Sequence, residues 1–317
     1  PADQDRHHQP QRLAPPCRRL LPRRDDMHRD ADRDRHPDPA RRLAQPDVQD
    51  VVRLALGELE AGDERRLGPG HAHARPEAAV ELDDRDPGEG LAARLVVDLE
   101  VVRENFIGFR RALPGSAIYY AVKANPAPEI LRLLASLGSS FDCASVAEIE
   151  MAMNAGATAD RISYGNTIKK ERDIASAHAL GVSLFAVDCV EEVEKVARAA
   201  PGARVFCRVL TDGAGAEWPL SRKFGCVPAM AIDVLETAHR LGLQATGVSF
   251  HVGSQQTDTE AWDGALADAA NVFNTLAERG IVLTLVNMGG GFPTRYLKDV
   301  PTAEAYGQSI FAALSRH

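Results

Sequence analysis

Lysine, serine, threonine, asparagine, isoleucine, phenylalanine and tyrosine are all absent from the first 92 residues of this 317-residue chain. Arginine, aspartate, proline, histidine and alanine take their place, as in the run Asp30-Ala31-Asp32-Arg33-Asp34-Arg35-His36. A segment so poor in aromatic and branched apolar residues cannot bury enough surface to offset its ordering entropy. Residues 1–92 are therefore expected to be an anomalous segment of low order, with one short amphipathic helix at most, over residues 48–59. The same bias is what an out-of-frame reading of GC-rich DNA gives. Resequencing the coding DNA tests that origin. Charges alternate in sign along the segment, which argues against an arm for nucleic acid.

Other absences narrow the function. Basic charge is not in excess: 37 Lys and Arg stand against 45 Asp and Glu, a formal charge of -8. Neither nucleic acid nor an anionic membrane is favoured by that balance. No apolar run approaches the roughly 20 residues of a membrane span, and no apolar core segment follows the first five residues to make a secretion signal. Cysteine is sparse and scattered, at Cys17, Cys143, Cys189, Cys207 and Cys226, without C-x-x-C spacing. Neither a disulfide framework nor a metal site is expected from that pattern, and a reducing cytoplasm is the expected location. His71 and His73 have no further ligand-type residues around them, so no metal is expected there either.

From about residue 93 the composition becomes ordinary and the pattern regular. A short strand over 95–99 and a helix over 100–113 come first. Strands are then expected at 118–123, 140–144, 161–164, 184–187, 204–210, 245–251 and 282–288, each followed by a helix. Glycine stands just past several of these helices, at Gly138, Gly156, Gly181 and Gly280, as left-handed C-terminal caps require. Strand–helix alternation at this spacing implies a parallel α/β sheet with right-handed crossovers. Seven such units are countable from Ile118. A doubly wound sheet and a (β/α)8 barrel both fit, and a barrel needs one more strand and helix.

The ends of these strands carry chemistry. Lys123, the first lysine of the chain, closes the apolar run Ala117-Ile118-Tyr119-Tyr120-Ala121-Val122. Such a lysine reads first as one that reaches water. If buried at a sheet or barrel mouth, it becomes a nucleophilic amine able to capture a carbonyl cofactor. Asp142, Asn166, Asp188, Arg208, His251 and Ser254 stand at the ends of other strands, and Gly289-Gly290-Gly291 follows the last. A glycine run there lets backbone N–H groups approach a phosphate, although a tight turn explains it equally well. A buried histidine satisfied by hydrogen bonds is the plain alternative for His251. A guanidinium within an apolar strand, as at Arg208, needs an anionic or acceptor partner.

Five segments, in this order, resemble the pyridoxal-phosphate-dependent ornithine/diaminopimelate decarboxylase family. They are Tyr120-Ala121-Val122-Lys123-Ala124-Asn125, Phe141-Asp142-Cys143-Ala144-Ser145, Ser221-Arg222-Lys223-Phe224-Gly225, Ser249-Phe250-His251-Val252-Gly253-Ser254 and Gly289-Gly290-Gly291-Phe292-Pro293. Gly165-Asn166-Thr167-Ile168-Lys169-Lys170 makes the likeness closer to ornithine decarboxylases. The resemblance implies an alanine-racemase-type (β/α)8 barrel over residues 93–317, with pyridoxal 5'-phosphate as cofactor. It implies that Lys123 holds the cofactor as a Schiff base, that His251 stacks on the pyridine face, and that Ser254 and Gly289 to Gly291 bind the phosphate. Asp142 and Arg208 would line the cofactor. Lys123 and His251 would be the catalytic residues.

The implied reaction, in the full-length form, is decarboxylation of a basic amino acid, most simply L-ornithine to putrescine in polyamine biosynthesis, by a cytoplasmic homodimer. The family's pyridine-nitrogen glutamate, a phosphate-binding arginine, a catalytic cysteine and the substrate-binding acids have no counterparts before His317. On the resemblance the barrel is therefore expected to be incomplete, lacking its eighth strand and a C-terminal β-domain, with two unpaired edges. The 317-residue chain is expected to be inactive by itself. A non-catalytic cofactor-binding or regulatory homologue, and a lysine or diaminopimelate decarboxylase, are the alternatives.

Overall fold

The computed structural model describes residues 52–56, 79–81, 94–219, 223–296 and 298–317. Strand β1 (Val52–Leu56) comes first, followed by an antiparallel pair, β2 (Ala79–Glu81) and β3 (Arg94–Val96). Helix α1 (Leu99–Ala112) starts at Asp98, whose carboxylate accepts from the Glu100 N–H at 2.8 Å. Arg110 and Arg111 lie in its last turn, opposite in sign to the helix dipole. The regular alternation follows: β4 (Ala117–Ala121), α2 (Pro128–Ser136), β5 (Ser140–Cys143), α3 (Val146–Asn154), β6 (Ile162–Tyr164), α4 (Glu171–Ala179), β7 (Leu184–Val187), α5 (Val190–Ala199) and β8 (Arg204–Arg208). The remainder is β9 (Ala216–Trp218), α6 (Pro228–Arg240), β10 (Gln244–Ser249), β11 (Ser254–Gln256), α7 (Trp262–Glu278), β12 (Leu285–Asn287) and α8 (Ala303–Arg316).

Eight of these strands close a barrel in the order β1-β12-β10-β8-β7-β6-β5-β4. Every neighbouring pair in it is parallel. Helices α1 to α8 touch in succession, and α8 touches α1. The barrel alternative is thus the right one, and the slot expected to stand open holds a strand. Seven strands would leave two rows of unpaired backbone groups. β1 fills that slot, pairing Val52 with Val286 on one side and Leu54 with Ile118 on the other. A strand there satisfies donors and acceptors on both edges, which the helix expected over 48–59 would not. α1 supplies the eighth helix. Residues 79–81 of the segment set apart by composition are described too, as β2; its remaining residues, and the expectations of disorder and reading frame placed on them, lie outside the described residues.

Side-chain alternation sorts the strands into an outer and an inner face. Outward residues such as Phe141, Cys143, Ile162, Tyr164, Phe185 and Val205 join the main core beneath the helices. Inward residues Leu184, Ala186, Phe206 and Leu285 form a separate small core inside the barrel. Two positions beyond Phe206 and Leu285, on the same inward phase, stand Arg208 and Asn287. The inner face therefore turns from apolar to polar at the C-terminal ends of the strands.

An aromatic cluster fixes the segment after β12. Phe292 stacks on Trp262 at 5.0 Å between ring centroids and meets Tyr306 and Phe109 edge-on at 5.4 and 5.0 Å. The Trp262 indole N–H donates to the Met288 carbonyl at 3.3 Å, and the Tyr306 hydroxyl donates to the Gln256 carbonyl at 2.6 Å. Trp262 is fully buried, whereas the chain's other tryptophan, Trp218, is half exposed on β9.

Candidate functional site

A pocket opens at the C-terminal end of the barrel, where the inner face turns polar. Lys123, Asp142, Arg208, His251, Gly289 and Gly290 all line it. Six of the eight sequence-predicted residues therefore come together, from five different strand ends. Ser254 and Gly291 do not line it. Ser254 pairs with Trp218 in the short β9–β11 ladder, and the Gly291 carbonyl accepts from the Gln256 N–H at 2.8 Å. Both build the wall behind the glycine loop.

Strand β4 ends at Ala121, and Lys123 lies in a 3-10 turn, Val122–Ala124. The sequence reading carried the strand through Lys123. Pro126 holds Asn125 extended (φ -157°, ψ 105°), and this residue is tied down twice. The Tyr120 hydroxyl donates to its carbonyl at 3.1 Å, and its side-chain oxygen accepts from the Ala127 N–H at 3.1 Å. The turn leaves the Lys123 side chain exposed at the pocket, not buried as a strand end would have it.

Asp142 faces this lysine from β5. Burial pushes its carboxyl up to about 6, with Lys123 and Arg208 opposing the rise and Glu148 adding to it. Glu148 is held in a variant of the helix capping box. Its N–H donates to the Ser145 hydroxyl at 3.3 Å, and its carboxylate accepts from the Ala144 N–H at 2.7 Å. Gly165 makes room for the Asp142 carboxylate: a β-carbon there would stand 2.0 Å from Oδ1. Arg208 closes the opposite side, its guanidinium 5.8 Å from the centre of the Phe224 ring.

The His251 Nδ1 accepts from the Gly253 N–H at 2.9 Å, so in a neutral ring the proton sits on Nε2. The His251 carbonyl accepts from the Thr211 hydroxyl at 2.5 Å. Gly289 has a positive φ of 67°, and a β-carbon on it would meet the Phe250 carbonyl oxygen at 2.2 Å. Only glycine permits that close approach, and the Asn287 side chain secures it by accepting from the Gly289 N–H at 2.9 Å.

Asn166, already noted at a strand end, lines the pocket as well, while other lining residues were given no role from the sequence. Ser249 and Asn287 share the inward phase of their strands, a signal that was there to be used. Thr167 carried no such signal. Its hydroxyl is buried in the lining and has no hydrogen-bond partner among the described residues. The loop holding it is anchored by Lys169, whose side chain is fully buried. Its ammonium pairs with Glu192 at 2.9 Å and donates to the Asn166 and Ala186 carbonyls at 2.8 and 2.6 Å. Lys195 pairs with the other Glu192 oxygen at 2.5 Å. Burial depresses the Lys169 ammonium and Glu192 opposes that shift.

Two cations beside one carboxylate, an orphaned buried hydroxyl and a glycine cradle suit a small anionic ligand with further polar groups. A pyridoxal phosphate fits this donor set: an aldehyde for Lys123, a phosphate for the glycine loop and a ring for His251. Among the described residues, no group of three or more His, Cys, Asp or Glu could hold a metal ion. No described helix is long and apolar enough to cross a membrane.

Comparison with known proteins gives consistent matches. A family model described as pyridoxal-dependent decarboxylase, pyridoxal binding domain, matches residues 99–317. The chain is 42% identical over 220 residues to the lysine/ornithine decarboxylase of Selenomonas ruminantium, covering 69% of this chain and 54% of that protein. It is 39% identical over 213 residues to antizyme inhibitor 2 of Xenopus laevis, covering 67% of this chain and 45% of the relative. A solved SrLDC mutant in complex with PLP superposes with a TM-score of 0.66 at 39% identity, over 69% of this chain and 57% of that one. The chain thus spans about half the length of the curated relatives it matches.

Proposed function

The chain belongs to the pyridoxal-dependent decarboxylases, and we propose that its pocket serves the decarboxylation of a basic amino acid, L-ornithine first, in polyamine formation. The convergence of Lys123, Asp142, Arg208, His251 and the Gly289–Gly290 turn on one pocket carries this reading. When bound, pyridoxal phosphate supplies the electron sink into which an amino acid can lose carbon dioxide. Lys123 presents its amine at the open side of the pocket, where it holds the cofactor's carbonyl end. Gly289 and Gly290 bring backbone close to the phosphate, with Gly291 and Ser254 in the wall behind. His251 offers its ring as a face for the pyridine. Asp142, its proton affinity raised by burial, can carry or accept a proton beside the Lys123 amine near neutral pH. Arg208 balances the phosphate and substrate carboxylate charges.

Ornithine is placed first because the Gly165 to Lys170 segment, whose first three residues line the pocket, resembles ornithine decarboxylases more than diaminopimelate decarboxylases. Pairing of two copies belongs to the same proposal, supported by apolar side chains exposed near the mouth at Trp218, Phe224, Val227 and Met230. So does a cytoplasmic location, which suits the free thiols of Cys143, Cys189, Cys207 and Cys226.

Reconstitution of the purified chain with pyridoxal phosphate tests the reading. A visible absorbance band, and a borohydride-trapped pyridoxyl group on Lys123 by peptide mass, are expected. Lys123→Ala should lose both while its far-UV circular dichroism is kept. Trapping on any other lysine would refute the assignment. A second reading, a regulatory homologue, is favoured by the likeness to an antizyme inhibitor. It keeps cofactor capture optional and predicts that the chain lowers the turnover of an active ornithine decarboxylase by pairing with it.

A further inference from the structure

Two cysteines that are 19 positions apart in sequence meet in the main core, Cys207 fully buried and Cys226 5% exposed, each next in sequence to a pocket residue or close to one. Cys207 lies in β8 and Cys226 at the far end of the loop that leaves it. Their sulfurs are 3.5 Å apart and both thiols are free. Backbone bonds hold them there: the Cys226 N–H donates to the Arg208 carbonyl at 3.0 Å, and the Leu210 N–H donates to the Cys226 carbonyl at 2.9 Å. Each cysteine adjoins pocket machinery. Arg208 follows Cys207, and Phe224 and Gly225 precede Cys226. Gly225 is further tied by its N–H to the Asp188 carboxylate at 3.0 Å.

We propose that Cys207 and Cys226 form a reversible disulfide that fastens Cys226, and with it the neighbouring Phe224, to strand β8. A disulfide needs its sulfurs at about 2.05 Å, so an approach of about 1.5 Å closes the bond. The roles of the two thiols are unequal. Cys207 hydrogen-bonds to Cys226, which lowers the Cys226 thiol and raises that of Cys207 well above the ordinary range. Cys226, the less buried of the two at 5% exposure against 0%, is the attacking sulfur. With a hydroperoxide as oxidant, its thiolate attacks the O–O bond, forming a sulfenic acid and releasing the alcohol. The Cys207 sulfur then displaces the hydroxyl from that sulfenic acid and water leaves. In sum, two thiols and one hydroperoxide give one disulfide, one alcohol and one water. A dithiol reverses the step by exchange.

The chemistry is independent of the cofactor reading, because it needs only the folded apo chain. Purified apo chain is treated with tert-butyl hydroperoxide, denatured, alkylated and mapped by peptide mass. The expected result is a Cys207–Cys226 crosslink, with Cys17, Cys143 and Cys189 still alkylated and full reversal by dithiothreitol. The oxidised chain should melt about 5–10 °C higher than the reduced one, from closure of a loop of this length. Cys226→Ala should show neither the crosslink nor the rise. Recovery of both thiols alkylated, or a crosslink to Cys189 in their place, would overturn the proposal. So would a crosslink that leaves the melting temperature unchanged. The wild-type mapping decides the matter even if a variant fails to fold.

Discussion

Replacing Asp142 by Asn should change how the stability of the chain depends on pH. The Asp142 carboxyl is raised from 3.8 to about 6, chiefly by burial. The folded chain therefore binds this proton more tightly than the unfolded chain does. Its stabilising contribution is complete below pH 3.8 and is lost as the pH rises through about 6. At about 1.36 kcal/mol per unit, the loss amounts to about 3 kcal/mol, most of it falling between about pH 4 and pH 6. Asparagine does not titrate, so the variant escapes this loss. The difference in unfolding free energy, Asp142→Asn minus wild type, should climb by about 2–3 kcal/mol between pH 4 and pH 8. Urea unfolding of both apo chains across that range measures it, with equal m-values confirming that the same surface unfolds. Other acids titrate alike in both chains and cancel. A difference that stays flat to within about 0.5 kcal/mol would refute the burial argument. Lys123→Ala supplies a second arm: it removes a positive charge that opposes the rise, so the stability loss should move to higher pH.

Gly165→Ala should place a methyl group 2.0 Å from the Asp142 carboxylate oxygen. About 1–3 kcal/mol of stability and much of the affinity for pyridoxal phosphate should be lost, measured by urea midpoint and by titration of the visible band. Unchanged values in both would show that Asp142 can step aside. Glu192→Ala should leave the Lys169 ammonium buried with only backbone carbonyls for partners, at about 3–5 kcal/mol. Pairing it with Lys169→Met should recover part of that loss in the same unfolding assay, and a double variant no better than the single would refute the ion-pair explanation.

The barrel was legible because its units repeat a local signal. Apolar strand, polar loop, amphipathic helix and glycine cap recur often enough to be counted, and strand ends in such a fold share one face. That face was enough to bring Lys123, Asp142, Arg208 and His251 together. β1 was not legible: Val52-Arg53-Leu54-Ala55-Leu56 is too short to distinguish strand from helix by periodicity, and its place is set by partners 64 positions away on one side and 234 on the other. β9 and β11 hid for the same reason, being three residues each. Ser254 and Gly291 carry the right residue types at the right spacing, but backbone pairing turns them into the supporting wall. The Cys207–Cys226 approach could not be read at all, because a separation of 19 residues says nothing about distance until the loop's path is known.

The two tryptophans give this protein separate optical reporters. Trp262, sealed against Phe292 beneath the glycine loop, should emit toward the blue and respond only when the barrel wall loosens. Trp218, half in water and paired with Ser254 across the β9–β11 ladder, should emit toward the red and be open to added quencher. A single emission spectrum, split by quenching with iodide, would then follow the mouth and the core of the same molecule independently, with no label attached.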